Sequence, residues 1–131
     1  MAEIRSFRDL NVYQKARDEA KAIFQLSKSF PNEERYSLTD QVRRSSRAVN
    51  AMIAEAWAKR RYQAAFVSKI NDALGEAMET QSWLDHALDC EYITAPQFAQ
   101  LDAEWQHIGG MLRMIERAAE FCRSPQKSKT T

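Results

Sequence analysis

An all-α fold, an antiparallel up-down-up-down four-helix bundle, is what this sequence predicts, and three observations predict it. Three glycines and three prolines in 131 residues leave little turn chemistry for a many-stranded sheet. Apolar residues recur at steps of three and four along long segments. Short connections separate those segments, which favours antiparallel neighbours. The length is that of one domain with one core.

The first helix is expected from about Asp9, as N-cap, to about Ser29, with Val12, Tyr13, Ala16, Ala20, Ile23 and Phe24 on one side. Proline disfavours helix in the residue before it, so Phe30-Pro31-Asn32-Glu33-Glu34 reads as a break. Ser37 then reads as an N-cap with Asp40 in the first turn. Leu38, Val42, Ser45, Val49, Met52 and Ala56 form the seam of a second helix reaching about Arg60. A third helix, over about 62–91, places Val67, Ile70, Leu74, Ala77, Gln81, Leu84 and Leu88 on its seam, Gln81 being the one polar member.

Thr94 and Gln97 form a capping box that opens the fourth helix, whose seam runs Phe98, Leu101, Trp105, Ile108, Leu112, Ile115, Ala119 and Cys122. The bundle domain is thus read as residues 1–122. Residues 123–131 are polar, contain Pro125 and lack periodicity, so a disordered tail is expected there. Trp57, Trp83, Met111 and Met114 lie beside the seams, which fits either a wider core face or a self-association surface.

Met1-Ala2-Glu3-Ile4-Arg5 has no secretory pattern, and no apolar run approaches the roughly 18 residues of a membrane span. The expectation is a soluble cytoplasmic protein without membrane association. Two cysteines, Cys90 and Cys122, make no disulfide framework and are read as reduced thiols.

No constellation for catalysis emerges, so an enzyme is not expected. Glu104-Trp105-Gln106-His107 is a single Glu-x-x-His where a carboxylate-bridged di-iron bundle of the common kind needs two. His86 and Cys90 offer two ligands from one helical face, short of a zinc set. No serine stands in a nucleophile elbow and no glycine-rich phosphate loop exists; Gly109-Gly110, inside a periodic helix, suits close helix contact or a bend. Neither metal nor cofactor is predicted.

Charge is more informative. The formal net charge is +1, but residues 1–65 carry 13 Lys/Arg against 8 Asp/Glu and residues 66–131 carry 6 against 10. On the second helix Arg43, Arg44 and Arg47 lie near one end, and Lys59, Arg60 and Arg61 near the other. Arg43, Arg47, Asn50, Ala54 and, if helix persists, Arg61 nearly align over roughly 27 Å. Two readings stand. The stripe can track the phosphates of RNA or DNA, for which arginine geometry is suited, or it can pair with the acidic half of a neighbouring subunit. No aromatic residue interleaves with it.

Phe7, Leu10, Val12, Tyr13 and Ala16, then Phe30-Pro31, Glu34, Tyr36, Leu38, Gln41 and Arg44, keep the spacing of a known motif set. The pattern Ser-Ile-x-x-Asn-Ile-Ala-Glu-Gly appears as Ala48-Val49-Asn50-Ala51-Met52-Ile53-Ala54-Glu55-Ala56, and Ala-x-Gly-Ser-x-x-Glu is met by Ala73, Gly75 and Glu79, with Glu76 at the serine. From about Phe7 to Cys122 the chain resembles the bacterial four-helix bundle proteins of intervening sequences in 23S rRNA genes. It is also similar to the accessory protein of diversity-generating retroelements. The resemblance implies a non-enzymatic homopentamer, and the second likeness implies nucleic-acid binding. Gln41, Arg44, Glu55 and Glu79 are the matched polar positions, expected to orient helices or subunits. The alternative role is that of an adaptor for a protein partner, without nucleic acid.

Overall fold

The computed structural model describes residues 3–129, with side chains described through residue 120. A 3-10 turn at Phe7–Asp9 leads into α1 (Asn11–Ser27); a second at Asn32–Glu34 leads into α2 (Leu38–Ala58), followed by α3 (Gln63–Asp89) and α4 (Ala95–Lys129). Each helix packs on the next, and α1 also meets α4. Four helices in a closed ring, with short connections, make the expected up-down bundle. The expected tail from Arg123, and Cys122 with it, lie outside the residues with described side chains.

The helix boundaries have identifiable causes. Asp9 does not cap α1: its carboxylate accepts from the backbone N–H groups of Arg5 and Ser6 and closes a capping box with Ser6 around the first 3-10 turn. That turn delays α1 to Asn11. Ser37 holds the N-cap position of α2 without capping it through its own side chain. Its hydroxyl instead donates to Glu34 (2.6 Å), whose carboxylate also receives the phenol of Tyr92 (2.9 Å) from the α3–α4 turn. The capping box of α4 forms as read: Gln97 accepts from the Thr94 N–H at 2.9 Å, and Thr94 from the Gln97 N–H at 3.2 Å. At the α3–α4 turn Glu91 takes a left-handed φ of 61°, a conformation costly for a residue with a Cβ.

All four helices feed one core. Val12, Ala16 and Ile23 from α1 join Val42, Val49, Ile53 and Ala56 from α2 and Leu101, Trp105, Ile108 and Leu112 from α4. On α3 the buried line is Ile70, Ala73, Ala77, Thr80, Leu84 and Ala87; Ile70, Ala77 and Leu84 are as expected, and the line is otherwise rotated from the expected seam toward the small residues. Large residues marked that seam, yet Val67, Leu74, Gln81 and Leu88 sit at its margin, half-buried. Small residues take the centre because α2 and α3 share the most extensive helix–helix interface, where closely approaching backbones leave room for alanine, serine and threonine. Ser45 and Thr80, both fully buried there, satisfy each other at 2.9 Å, avoiding the cost of an unpaired buried hydroxyl. Gln81 bridges α3 to α4 through Asp102 and Gln106. Gly109 is buried, and a Cβ there would stand in ordinary contact with Leu74 Cδ1 at 3.4 Å, whereas a Cβ at Gly110 would meet open space.

Candidate functional site

Adjacency in the ring turns the charge asymmetry of the chain into an asymmetry between faces. The groove between α1 and α2 is basic. Its cleft, about 300 Å³, is lined by Tyr13, Arg17, Ala20, Lys21 and Phe24 from α1 and by Arg47 and Asn50 from α2. The groove between α3 and α4 is acidic, with Asp72, Glu116 and Glu120 in the wall of a cleft of about 460 Å³.

Phe24 organises the basic groove. The Arg43 guanidinium lies 4.7 Å from its ring centroid, that of Arg47 5.2 Å, and the Lys28 ammonium 5.0 Å. The negative face of the ring offsets part of the repulsion among three like charges. Arg43 is positioned further by donation from Nε to Ser27 Oγ at 2.8 Å, and Asn50 by donation from Nδ2 to the Tyr13 carbonyl at 3.0 Å. Among the described residues no ion pair involves Arg17, Lys21, Lys28, Arg43 or Arg47, whereas Lys15, Arg44 and Lys69 are each paired. The cations of this groove are therefore open to an external anion.

The other arginines of α2 have different surroundings. Arg44 faces α3, where it bonds Glu76 (3.2 Å) and Glu79 and takes the side-chain oxygen of Gln41 on its Nε. Glu79 also accepts from the Trp83 indole at 3.0 Å. That indole bond, and Arg44 next, hold the Glu79 carboxyl below its ordinary pKa against the opposing effect of burial. Burial works against the Arg44 charge, and the two carboxylates outweigh it, raising its pKa. Glu55 reaches α3 separately, with its carboxylate 3.0 Å from Lys69 Nζ. The structure thus brings Gln41, Arg44 and Glu79 together and places Glu55 apart from them.

Arg61 does not extend the stripe, because α2 ends at Ala58. Lys59, Arg60 and Arg61 occupy the following turn. Arg60 folds back on Trp57, donating to its carbonyl at 2.8 Å with the guanidinium 4.2 Å from the ring centroid. The second helix alone understated the basic surface: Arg17, Lys21, Phe24 and Lys28 step four, three and four residues along α1 and lie on one helical face. Reading that spacing against the arginines of α2 would have revealed both the additional charge and the interleaved aromatic ring.

Of the residues considered for metal binding, His86 and Cys90 are exposed and line one cleft beside Trp83, two ligands as the sequence offered. Glu104 pairs with Lys15, His107 is exposed, and Trp105 between them fills the core. Among the described residues no group of three or more His, Cys, Asp or Glu is placed to hold an ion. No helix among them is long and apolar enough to cross a membrane.

The family model described as 23S rRNA-intervening sequence protein matches residues 8–114. The chain belongs to this family. A crystal structure of a protein of unknown function from the S23 ribosomal protein family of Bacteroides thetaiotaomicron is similar at 33% identity and a TM-score of 0.73, covering 81% of this chain and 95% of that one. No curated protein matches the chain. Within the 23S rRNA-intervening sequence fold, the motif positions Gln41, Arg44 and Glu79 form one α2–α3 contact. At two of the departures from the motif, Met52 packs against the core and Ala56 is fully buried within it.

The Glu34–Tyr92 contact gives a pH signature. Hydrogen bonds from Ser37 and then Tyr92 hold the Glu34 carboxyl below its ordinary pKa. Glu34, aided by burial, raises the Tyr92 phenol from 10.0 to about 12. A phenol raised on folding contributes stability that is intact below pH 10 and is lost as pH climbs through about 12. The melting temperature should therefore fall between those limits more steeply in the native chain than in Tyr92→Phe. Identical alkaline profiles would show that this contact contributes nothing.

Proposed function

We propose that this member of the 23S rRNA-intervening sequence family is a non-enzymatic, self-assembling bundle that binds RNA or DNA through its α1–α2 face. The observation that carries the reading is the set of five cations on this face, Lys28, Arg43 and Arg47 against the Phe24 ring and Arg17 and Lys21 in the adjoining cleft, none of them in an ion pair among the described residues. Neutral protein surfaces interleave their charges; a one-sign surface focuses potential and attracts a polyanion. Arg44 is spent on Glu76 and Glu79, and Lys59, Arg60 and Arg61 form a second, smaller basic site at the α2–α3 turn. The proposed assembly is a homopentamer. Tyr36 in the turn before α2 and Met78 on α3, respectively 82% and 46% exposed, and the open side of Gly75 are surface available for contact with another subunit. A ring presents the basic face repeatedly, so modest single-site affinity becomes avidity toward one long polyanion.

The acidic α3–α4 groove supports a second reading, in which the basic face of one subunit docks on the acidic face of the next. The deciding experiment is a titration of nuclease-treated protein against labelled structured RNA and duplex DNA over a salt series. Log affinity should fall linearly with log salt, with a slope of about 0.7–0.9 per phosphate contact. Absence of binding at low salt would overturn the polyanion reading and leave the subunit or adaptor role.

A further inference from the structure

Resting on the polyanion reading, we infer that the α1–α2 cleft holds one unstacked nucleotide of a single strand, with its base in the cleft and its phosphate on the cations at the rim. Three features of the cleft lead to this occupant. Its volume, about 300 Å³, lies at the lower end for small-ligand pockets, and two packed helices, with axes about 8–10 Å apart, form a groove that cannot seat a duplex on its floor. Its lining joins both halves of a nucleotide-binding chemistry: Arg17, Lys21 and Arg47 supply positive charge without a lining carboxylate, and Tyr13 and Phe24 supply aromatic surface. Arg47 is exposed and carries a planar guanidinium beside Phe24, the kind of surface on which unpaired bases stack.

Asn50 adds a polar group suited to a base edge. Its Nδ2 is committed to the Tyr13 carbonyl, which orients the amide. The Oδ1 then remains as an acceptor in the cleft wall, able to take an N–H from a base. Phosphate recognition alone requires neither the aromatic lining nor an oriented amide oxygen. A duplex, with its bases stacked and paired, can engage the rim cations while leaving the cleft unused.

The test compares three labelled probes on the full chain at two salt concentrations: a single-stranded mixed-sequence oligonucleotide, the abasic sugar-phosphate strand of the same length, and the corresponding duplex. The base-bearing strand should bind about 5- to 150-fold tighter than the abasic one, the range that stacking of one base supplies. Arg47→Lys, which keeps charge but removes the planar group, and Phe24→Leu, which keeps apolar bulk but removes the ring face, should each reduce that preference and leave most of the salt dependence. Equal binding of base-bearing and abasic strands with a steep salt slope would overturn the nucleotide site while the polyanion reading stands. A base preference unchanged in both variants would place it elsewhere and equally overturn this site. No binding of any probe at low salt would remove the polyanion reading, and this inference with it.

Discussion

Replacing Arg43 and Arg47 together with alanine is expected to weaken nucleic-acid binding by about 25- to 60-fold at 0.1 M salt. Each cation that neutralises a phosphate adds about 0.7 to the log–log salt slope on a single strand and about 0.9 on a duplex. Two lost contacts thus flatten the slope by about 1.4–1.8, and extrapolation from 1 M to 0.1 M converts that to the stated loss. Both side chains lie beside Phe24 on the surface of the groove, so their removal leaves the core intact. Arg44→Met is the control. Its guanidinium belongs to the Gln41–Glu76–Glu79 cluster, so it should lower the melting temperature while leaving the salt slope nearly unchanged. A slope unaltered in the double variant would remove Arg43 and Arg47 from the interface. A change of assembly state, read by mass in solution, would assign them instead to contacts with an acidic face of another subunit.

The contrast between Arg43 and Arg44 marks how far the sequence can be read. Periodicity identified four helices because burial of an apolar stripe dominates helix formation in a bundle. It placed the core lines of α2 and α4 well, since those seams are continuous in Val42, Val49 and Ala56 and in Leu101, Trp105, Ile108 and Leu112. On α3 it found Ile70, Ala77 and Leu84 but otherwise followed bulk, whereas the centre of the interface also favoured Ala73 and Thr80. Hydropathy cannot weigh how closely two backbones approach, and that distance decides between large and small residues. Ends of helices were less legible for another reason. Asp9 and Ser37 have the right chemistry for caps, but each had a competing partner a few residues upstream, the backbone of Arg5 and Ser6 for Asp9 and Glu34 for Ser37.

The basic face was half legible. Adjacent arginines on one helix differ by about 100° in direction, so Arg43 and Arg44 were bound to meet different neighbours, and a single helix does not say which. Tertiary packing sends Arg44 to the carboxylates of α3 and leaves Arg43 and Arg47 beside the cations of α1. The same packing supplies Phe24, the aromatic partner that α2 lacks. Charge segregation along the chain became charge segregation between faces because α1 and α2 are neighbours, as are α3 and α4.

Trp105→Ala should cost about 3–5 kcal/mol, the range for truncating a buried large aromatic. Trp105 is the largest fully buried side chain, with 0% exposure, and sits in the central cluster with Ile108 and Leu112. Against a typical domain stability of about 5–15 kcal/mol, that loss is expected to lower the melting temperature on the order of 10–20 °C. Trp105→Phe separates packing from polarity. The indole N–H has no hydrogen-bonding partner among the described residues, and an unpaired buried donor costs about 1–3 kcal/mol. Phenylalanine loses part of the ring volume but also removes that donor, so its net cost should be much smaller than that of alanine. Thermal melts at two protein concentrations measure both effects and expose any contribution from assembly. A shift below about 3 °C for alanine, roughly one kcal/mol or less, would mean that α4 repacks over the gap; equal losses for alanine and phenylalanine would mean that the N–H costs little and the outer part of the indole supplies most of the packing.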